Sequence, residues 1–496
     1  MARSPHALTP SSDVENFFQA VIPPVRNRTG TADVVRGMQC AVSPVRFRPA
    51  FPSSCVGRRP FLSRPASRQR DAMARRERDH VEDCEHHLMT NQHHANTSSD
   101  RARQSRVGLA NPPPGTRLAR TREHLESMGA PDFRYRQFVS ALRRAEAETF
   151  DTVRELPAEL RTGLTEKFGP RVLPIVPVAR QAEDQVEKVV FESDPGIRFE
   201  TVLSRYRAGW SSICVSSQAG CGLGCTFCAT AAVGLARNLT ADEIYAQVVH
   251  PSWRLHDKGL PESVAFMGMG EALANPHVFD ALRLLSGTGY GELSQRRITV
   301  STVGFAPNLS RLTKEYPQVT ITLSVHSPFA DERAQLIPLE KRFPLTENLA
   351  ILDEHAGTAR RKIYLAYLLI AGVNDTDEHL QQLARLVASR SRPELFHVSV
   401  IRYNQALGAD PAYQAPSKTH VSQFVAGLRE RGIHATRRRQ LGSSIDAACG
   451  QLHARYAASA PAGGPLAGLP PMSPAEDRLL QIGRPGRSES RRTATG

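Results

Sequence analysis

Apolar and polar positions follow a helical period in the stretch 111–187. Apolar residues recur every three or four positions over 133–142 and again over 153–164, with Pro and Gly between the two runs. This spacing is typical of amphipathic helices, and Pro and Gly mark their ends. We therefore predict a small helical accessory domain at 111–187.

The pattern changes over 188–456, where short apolar runs alternate with helical stretches. Strands separated by helices indicate parallel βαβ units. Their even recurrence predicts an α/β fold with a partial (β/α) barrel, whose active site lies at the carboxyl ends of the strands. The strand-like runs are 212–217, 263–267, 297–302, 320–325, 363–370, 397–402 and 433–437.

The two ends of the chain show neither the helical period nor the alternation of strand-like and helical runs. The first 70 residues contain eleven Arg, no Lys and three acidic residues, together with many Pro and Ser, and the stretch 457–496 is rich in Pro and Gly. Such segments hold too few periodic apolar residues to offset the entropy of ordering them. We predict a disordered basic extension at 1–110 and a disordered tail at 457–496; a later start, at Met73 or Met89, stays open.

The composition shows that the chain is strongly basic. The 496 residues carry a formal net charge of +14 and are 40% hydrophobic, enough for one sizeable core. A basic excess favours a polyanionic partner, and 296–297, 360–362 and 437–440 are candidate phosphate contacts. No apolar run of membrane-spanning length and no signal peptide is visible, so we expect a cytoplasmic protein without a membrane partner.

Eight cysteines are spread unevenly, at positions 40, 55, 84, 214, 221, 225, 228 and 449. Four of them fall within fifteen residues, which favours metal or redox chemistry over a disulfide scaffold. Cys221, Cys225 and Cys228 form a compact loop of three thiols, which suits a [4Fe-4S] cluster whose fourth iron stays open to a ligand. Zinc is the alternative, although closed zinc sites normally have four ligands.

The three-cysteine loop after a strand resembles the radical S-adenosylmethionine (radical SAM) superfamily, and Gly268-Met-Gly-Glu271 resembles its methionine-amine segment. Further stretches, over 115–456 and in the same order, resemble the RlmN/Cfr family of adenine methyltransferases acting on large-subunit ribosomal RNA. Within that family the resemblance favours the type associated with chloramphenicol–florfenicol resistance, which methylates adenine C8 rather than C2. The stretches are 208–218, 266–275, 323–328, 401–404 and 445–452.

The resemblance implies a radical mechanism with S-adenosylmethionine as cofactor. Adenine C8 and C2 have no acidic proton and no nucleophilic lone pair, so an ordinary polar methyl transfer has nothing to attack. By resemblance, Cys449 carries the methyl group on its sulfur, and Cys214 releases the product by forming a transient disulfide with Cys449. Glu200 corresponds to the proton acceptor. A reductant for the cluster and the disulfide is implied as well.

The remaining site residues also come from the resemblance. Three positions depart from the family pattern: Ala231 replaces Gly, Ser444 replaces an acidic residue, and Val325 replaces Leu. None of the three is a proposed cluster ligand or catalytic residue. The implied cluster ligands are Cys221, Cys225 and Cys228, and the implied cofactor contacts are Gly270, Glu271, Ser301, Ser324, Val325, His326 and Asn404.

Methylation of C8 of an adenine in 23S ribosomal RNA is the function that the sequence favours. Three alternatives stay open at this point. The first is C2 methylation of the same base, which could extend to transfer RNA. The second is a radical SAM enzyme acting on a substrate other than RNA. The third is a noncatalytic, zinc-bearing RNA-binding module.

Overall fold

The computed structural model describes residues 109–144, 147–193, 196–253, 260–448 and 450–453, which belong to one compact unit of the chain. The tail expected at 457–496, and all of the expected extension at 1–110 except its last two residues, lie outside the described residues. No helix in the described part is both long and apolar enough to span a membrane.

The described chain begins with helices and continues as alternating strands and helices. Three helices, α1–α3, precede the sheet, and the other eight follow its fourth strand along the chain. The helices are α1 (Arg117–Ser127), α2 (Asp132–Arg143), α3 (Ala158–Phe168), α4 (Ala229–Ala232), α5 (Ala241–Val249), α6 (Val278–Ser286), α7 (Ala306–Glu315), α8 (Ala330–Leu336), α9 (Leu345–Ala359), α10 (Asp377–Ala388) and α11 (Lys418–Glu430).

Ten strands form one open sheet in the order β1-β2-β3-β4-β7-β8-β9-β10-β11-β12, while β5 and β6 form a separate pair. Neighbours are antiparallel from β1 to β4 and parallel from β4 to β12. The strands are β1 (Val176–Glu183), β2 (Val186–Glu192), β3 (Arg198–Arg205), β4 (Ser211–Val215), β5 (Gln218–Gly220), β6 (Leu235–Asn238), β7 (Ser263–Phe266), β8 (Ile298–Thr302), β9 (Thr320–Ser324), β10 (Ile363–Leu369), β11 (Phe396–Arg402) and β12 (Ala435–Arg437).

The parallel part confirms the predicted α/β fold. Every residue of β7, β8 and β9 is buried, as expected for central parallel strands that are covered on both faces. Both ends of each predicted strand fall within two residues of the ends of an observed strand. Because β1 and β12 do not pair with each other, the sheet remains a partial barrel, and the carboxyl ends of its parallel strands share one edge.

The antiparallel part differs from the prediction. The helical segment ends at Phe168, and the sheet begins at Val176 rather than at residue 188. Strand β1 is an outer strand with one buried residue among its eight, and Pro177 interrupts its apolar residues, which in a sequence pattern argues against a strand. Its partner β2 and the next strand, β3, extend the sheet beyond β4 and form one wall of the cleft described below.

The helical segment is fastened to the barrel by polar contacts at a helix end. The carboxylate of Asp242, on α5, accepts hydrogen bonds from the backbone N–H groups of Arg117 (2.6 Å) and Leu118 (3.3 Å). A carboxylate at a helix N-terminus satisfies backbone donors that have no partner within the helix. In addition, the hydroxyl of Tyr135 donates to the Leu118 carbonyl at 3.0 Å and lies 3.1 Å from the hydroxyl of Tyr290, which follows α6 of the barrel. Helix α1 therefore has a fixed position against the barrel.

We expect Phe191→Ala to destabilise the protein strongly. Phe191 of β2 is fully buried, and its ring lies 5.0 Å from that of His250 and 6.0 Å from that of Trp253. Removing a buried ring costs about 3–5 kcal/mol of the free energy of unfolding, measured by urea denaturation. The control Phe133→Ala, at a position 43% exposed, should cost less than about 0.5 kcal/mol. Equal midpoints for the two variants would show that β2 is not part of the core.

Candidate active site

An open cleft lies inside the partial barrel. Its walls include Val202 of β3, Cys214 of β4, Met267 just after β7 and Asn404 just after β11. Residues from four strands therefore meet in one space, as expected for a site in a barrel of this type. Cys214 is half-buried in this cleft.

Three cysteines lie in the loop between β5 and α4. Cys221, Cys225 and Cys228 are 1%, 3% and 5% exposed and share one apolar cluster. Burial, and then the charges of the other two cysteines, raise the pKa of Cys225 well above its ordinary value. Three mutually repelling thiolates in an apolar environment need a positively charged group between them. No set of three His, Cys, Asp or Glu among the described residues is arranged to hold a single metal ion.

A glycine allows the chain to turn into this loop. Gly220 has a φ of +83°, and a Cβ atom there would lie 2.0 Å from the carbonyl oxygen of Gly234. The backbone N–H of Cys221 donates to that same carbonyl at 2.6 Å. Only glycine permits so close an approach in this conformation. The start of the cysteine loop is therefore fixed by its backbone.

Cys449 lies outside the described residues, but the residues around it are placed. The N–H of Ala229, directly after Cys228, donates to the Gly450 carbonyl at 2.9 Å, and the hydroxyl of Thr230 donates to the Leu452 carbonyl at 2.5 Å. Residues on both sides of Cys449, among them Ala448 and Leu452, line the same cleft as Cys214. The segment that carries Cys449 therefore adjoins both the cysteine loop and Cys214.

Glu200 occupies a buried ion pair. Its Oε1 atom lies 3.0 Å from Nζ of Lys188, and the two side chains are 0% and 2% exposed. Lys188 Nζ also donates to the Asp446 carbonyl at 3.2 Å, while Glu200 Oε2 accepts from the N–H of His453 at 2.7 Å. The pair therefore contacts the chain on both sides of Cys449. Sequence reasoning missed Lys188, because a Lys in a short strand is usually exposed.

Glu271 is fully buried just after β7. Its carboxylate accepts from the N–H groups of Leu273 and Val303, each at 3.1 Å, and burial raises its pKa to about 8. Its own N–H donates to Oε1 of Gln218 at 2.8 Å. Gly270 has a φ of +93°, and a Cβ atom there would lie 2.4 Å from the Gln218 side chain. Gln218, which was not predicted as a site residue, therefore fixes this turn.

The other predicted cofactor contacts lie at strand ends. Ser301 is in β8 and Ser324 ends β9, while Val325 and His326 directly follow β9 and Asn404 follows β11. The buried hydroxyl of Ser301 makes no hydrogen bond within the described part of the chain. The structure thus places these five residues along one edge of the sheet.

His326 has a rare backbone conformation, with a φ of +60°. Its Nδ1 atom lies 3.0 Å from the N–H of Leu368 and accepts from it. Burial, and then the charge of Arg333, lower the pKa of His326 to about 3. The ring is therefore neutral at physiological pH and carries its proton on Nε2.

Arg333 of α8 is fully buried and fastens two strand ends. Its Nη2 donates to the carbonyls of Val303 (2.6 Å) and Ser324 (2.8 Å), and its Nε donates to the Val325 carbonyl at 3.1 Å. Its Nη1 is paired with the carboxylate of Glu340. The sequence contains no signal for this role, because Arg333 lies in a short helix whose polar composition predicts exposed side chains.

Comparisons with known proteins agree with this arrangement. The radical SAM superfamily matches residues 215–387. The ribosomal RNA large subunit methyltransferase Cfr of Staphylococcus aureus is 44% identical over 342 residues, which are 69% of this chain and 97% of the relative. Its counterpart in Bacillus velezensis is 43% identical over 339 residues, 68% of this chain and 96% of the relative.

A solved structure is similar as well. The crystal structure of a radical SAM methyltransferase from Sphaerobacter thermophilus is 38% identical in sequence, with a TM-score of 0.64. The match covers 68% of this chain and 98% of that one. The described residues therefore correspond to nearly the full length of the compared proteins.

We expect Glu340→Gln to destabilise the protein by about 3–5 kcal/mol, because it leaves the buried Arg333 guanidinium without a counter-charge. The matched control is Glu315→Gln, which removes the partner of Arg311 from an exposed ion pair and should cost at most about 1 kcal/mol. Urea denaturation measures both changes. If the two variants lose the same stability, the Arg333 contacts do not hold the strand ends.

Proposed function

Since the chain belongs to the Cfr family of ribosomal RNA large subunit methyltransferases, within the radical SAM superfamily, we propose that it methylates C8 of an adenine in 23S ribosomal RNA. The observation that supports this most strongly is the meeting of three features at one cleft. Cys214 and the segment around Cys449 both line this cleft, and that segment is hydrogen-bonded to the residues directly after Cys228.

The residues present fit the two cofactors that the family implies. The three thiols are buried together, and burial, followed by the charges of Cys221 and Cys228, raises the pKa of Cys225. Such a group suits a positively charged iron–sulfur core, and we propose Cys221, Cys225 and Cys228 as ligands of a [4Fe-4S] cluster. A cluster separates its ligands by its own width, so the close spacing of a single-ion site is not required. Together the cluster and S-adenosylmethionine supply one-electron chemistry, which an unactivated ring carbon requires.

The protein's part is to hold S-adenosylmethionine in one orientation. We propose that the buried carboxylate of Glu271, with Gly270 beside it, receives the amino group, because an ammonium ion donates charge-assisted hydrogen bonds to a carboxylate. The Ser301 hydroxyl has bonding capacity left for a ligand. His326 can donate from Nε2, and we propose Ser324, Val325 and Asn404 as the other contacts at this edge.

We propose that Cys449 carries the methyl group on its sulfur. The radical chemistry that the two cofactors would supply removes one hydrogen atom from this group, and the remaining CH2 carbon bonds to the base carbon, which gives up its own hydrogen as a proton while one electron would pass to the cluster. Cys214 then attacks the Cys449 sulfur, which forms a Cys214–Cys449 disulfide and breaks the bond from that sulfur to the CH2 carbon. The bonding electron pair stays with this carbon, which takes up a proton and becomes the new methyl group, and an external reductant cleaves the disulfide. We propose Glu200 as the acceptor of the proton from the base, since it is on the same face of β3 as Val202 of the cleft.

The proposed substrate accounts for the charge of the chain. A net charge of +14 suits a polyanion, and Arg437 and Arg439 are exposed at the end of β12. The adenine has to leave its stacked position to reach a cleft inside the barrel, which favours a single-stranded or distorted RNA segment. We place the reaction in the cytoplasm, where ribosomal RNA is modified.

Mass spectrometry of 23S ribosomal RNA from cells that express the protein tests this proposal. We expect one adenine to gain a methyl group at C8. Cys449→Ala should abolish the modification, because the methyl carrier is missing, and Cys214→Ala should block release of the RNA. The matched control Cys84→Ala lies outside the resemblance and should methylate normally.

Other outcomes of the same experiment contradict the proposal at different levels. A methyl group at C2 would overturn the choice of carbon but not the enzyme class. No change in any adenine would overturn the substrate. Full methylation by Cys449→Ala would refute the carrier mechanism.

Iron content tests the cluster ligands separately. After anaerobic reconstitution we expect a brown protein with about four irons per chain. Cys225→Ala should lose most of this iron, because a thiolate ligand is missing, and Cys84→Ala should retain it. Iron and zinc analysis decides the matter: a colourless protein that holds zinc would contradict the assignment.

A further inference from the structure

The turn between β3 and β4 carries two stacked aromatic rings. The ring centroids of Tyr206 and Trp210 lie 3.8 Å apart, with 17° between the ring planes. The N–H of Tyr206 donates to the Trp210 carbonyl at 2.9 Å, and the N–H of Gly209 donates to the Tyr206 carbonyl at 2.8 Å. Gly209 has a φ of +85°, which favours glycine. The turn therefore holds the rings in fixed positions, and both rings are half-buried.

Tyr206 also lines the cleft that contains Cys214. Its hydroxyl is hydrogen-bonded to the Ser204 side chain and interacts electrostatically with Arg438, Cys214 and Arg439. Burial raises the pKa of Tyr206, while the charges of Arg438 and Arg439 act in the opposite direction. The phenol group is thus a neutral hydrogen-bonding group close to the proposed reaction centre.

Two guanidinium groups complete this part of the cleft. Arg438 is 8% exposed and Arg439 is exposed, and both line the cleft beyond β12. The N–H of Arg438 donates to the Val400 carbonyl at 2.8 Å, which fixes the backbone here. None of the described residues that line the cleft is Asp or Glu. The cleft is therefore positively charged on this side and suits an anionic ligand.

We propose that Tyr206, Trp210, Arg438 and Arg439 form a subsite for a second nucleotide, the one next to the target adenine in the RNA. Its base stacks on the Tyr206–Trp210 pair, and its phosphate contacts the two guanidinium groups. This proposal rests on the proposed function, since it assumes that the target base enters the same cleft.

General properties of RNA recognition support this assignment. Taking a base out of its stack breaks its contact with the neighbouring base, and an aromatic side chain can replace that contact. Single-stranded RNA is recognised by stacking on aromatic rings and guanidinium planes. Arginine suits phosphate because its planar group donates two parallel hydrogen bonds. The stacked pair provides the stacking surface and the two arginines provide the phosphate contact, both near Cys214.

Intrinsic fluorescence gives a direct test, because the chain has two tryptophans. Trp253 is 1% exposed and serves as an internal reference, whereas Trp210 is half-buried beside the cleft. We expect a 23S ribosomal RNA fragment that contains the target adenine to quench the emission of the reconstituted enzyme. Trp210→Phe should remove most of this response. Unchanged emission from the wild-type enzyme, while fluorescence anisotropy of labelled RNA reports binding, would overturn the subsite.

Affinity measurements test the stack. Tyr206→Ala and Trp210→Ala should each weaken RNA binding roughly ten-fold, and Tyr206→Phe, which keeps the ring, should lose less. Tyr364→Ala is the matched control: Tyr364 is also half-buried and lies against an aromatic ring, that of His397 at 5.4 Å, but it does not line the cleft. Equal affinities for the Tyr206, Trp210 and Tyr364 variants would contradict the proposal.

Salt dependence tests the phosphate contact. Arg439→Gln should reduce the slope of log K against log salt concentration by about 0.7, the value for one phosphate contact with single-stranded RNA. Arg207→Gln is the control. Arg207 is an exposed residue in the turn between β3 and β4, its side chain pairs with Asp184 at 3.6 Å, and it does not line the cleft. An equal change in slope for the two variants would show that Arg439 acts only through net charge.

The failure of this proposal and that of the proposed function can be told apart. If the wild-type enzyme methylates the adenine but the variants bind RNA as tightly as it does, only the subsite is refuted. If no adenine is methylated while RNA still quenches Trp210 and the Arg439 slope changes, the subsite stands as an RNA-binding site and the proposed reaction fails.

Discussion

The buried guanidinium group of Arg333 is the contact on which the geometry of the sheet edge proposed to bind S-adenosylmethionine depends. It donates to carbonyl groups at or just beyond the ends of β8 and β9, and Glu340 neutralises its charge. Two neighbouring strands are thereby fastened at the positions from which Ser301, Ser324 and His326 extend. Burying such a charge is costly, so it is better understood as a means of fixing geometry than as a source of stability.

A second buried ion pair has a similar role beside the cleft itself. Lys188 and Glu200 come from β2 and β3, the antiparallel strands that extend the sheet, and they contact Asp446 and His453. These contacts hold the segment around Cys449 against the strands that adjoin Cys214. The extension of the sheet therefore shapes the cleft, and the parallel strands alone would leave this wall open.

The cleft combines apolar and basic surfaces. Val202, Met267 and Leu452 give part of it an apolar lining, which suits chemistry that has to exclude water. Tyr206, Arg438 and Arg439 bring polar and positive groups to another part of the same space. A ligand with a flat base and a negative backbone matches this division, and RNA has both.

The sequence by itself determined the parts that depend on near neighbours in the chain. Continuous apolar runs such as that of β10 predicted the parallel strands, because a strand buried on both faces needs no partner to be recognised. The spacing of Cys221, Cys225 and Cys228 likewise predicted a compact thiol loop. Strand β1 was missed because it is only partly buried and contains Pro177, which argues against a strand in a sequence pattern. Only the tertiary structure decided which groups Lys188, Arg333 and Tyr206 contact. Lys188, for example, contacts Asp446, which is 258 residues away along the chain. Contacts of that kind depend on how the strands pair and how the chain returns to the cleft, and local spacing does not encode either.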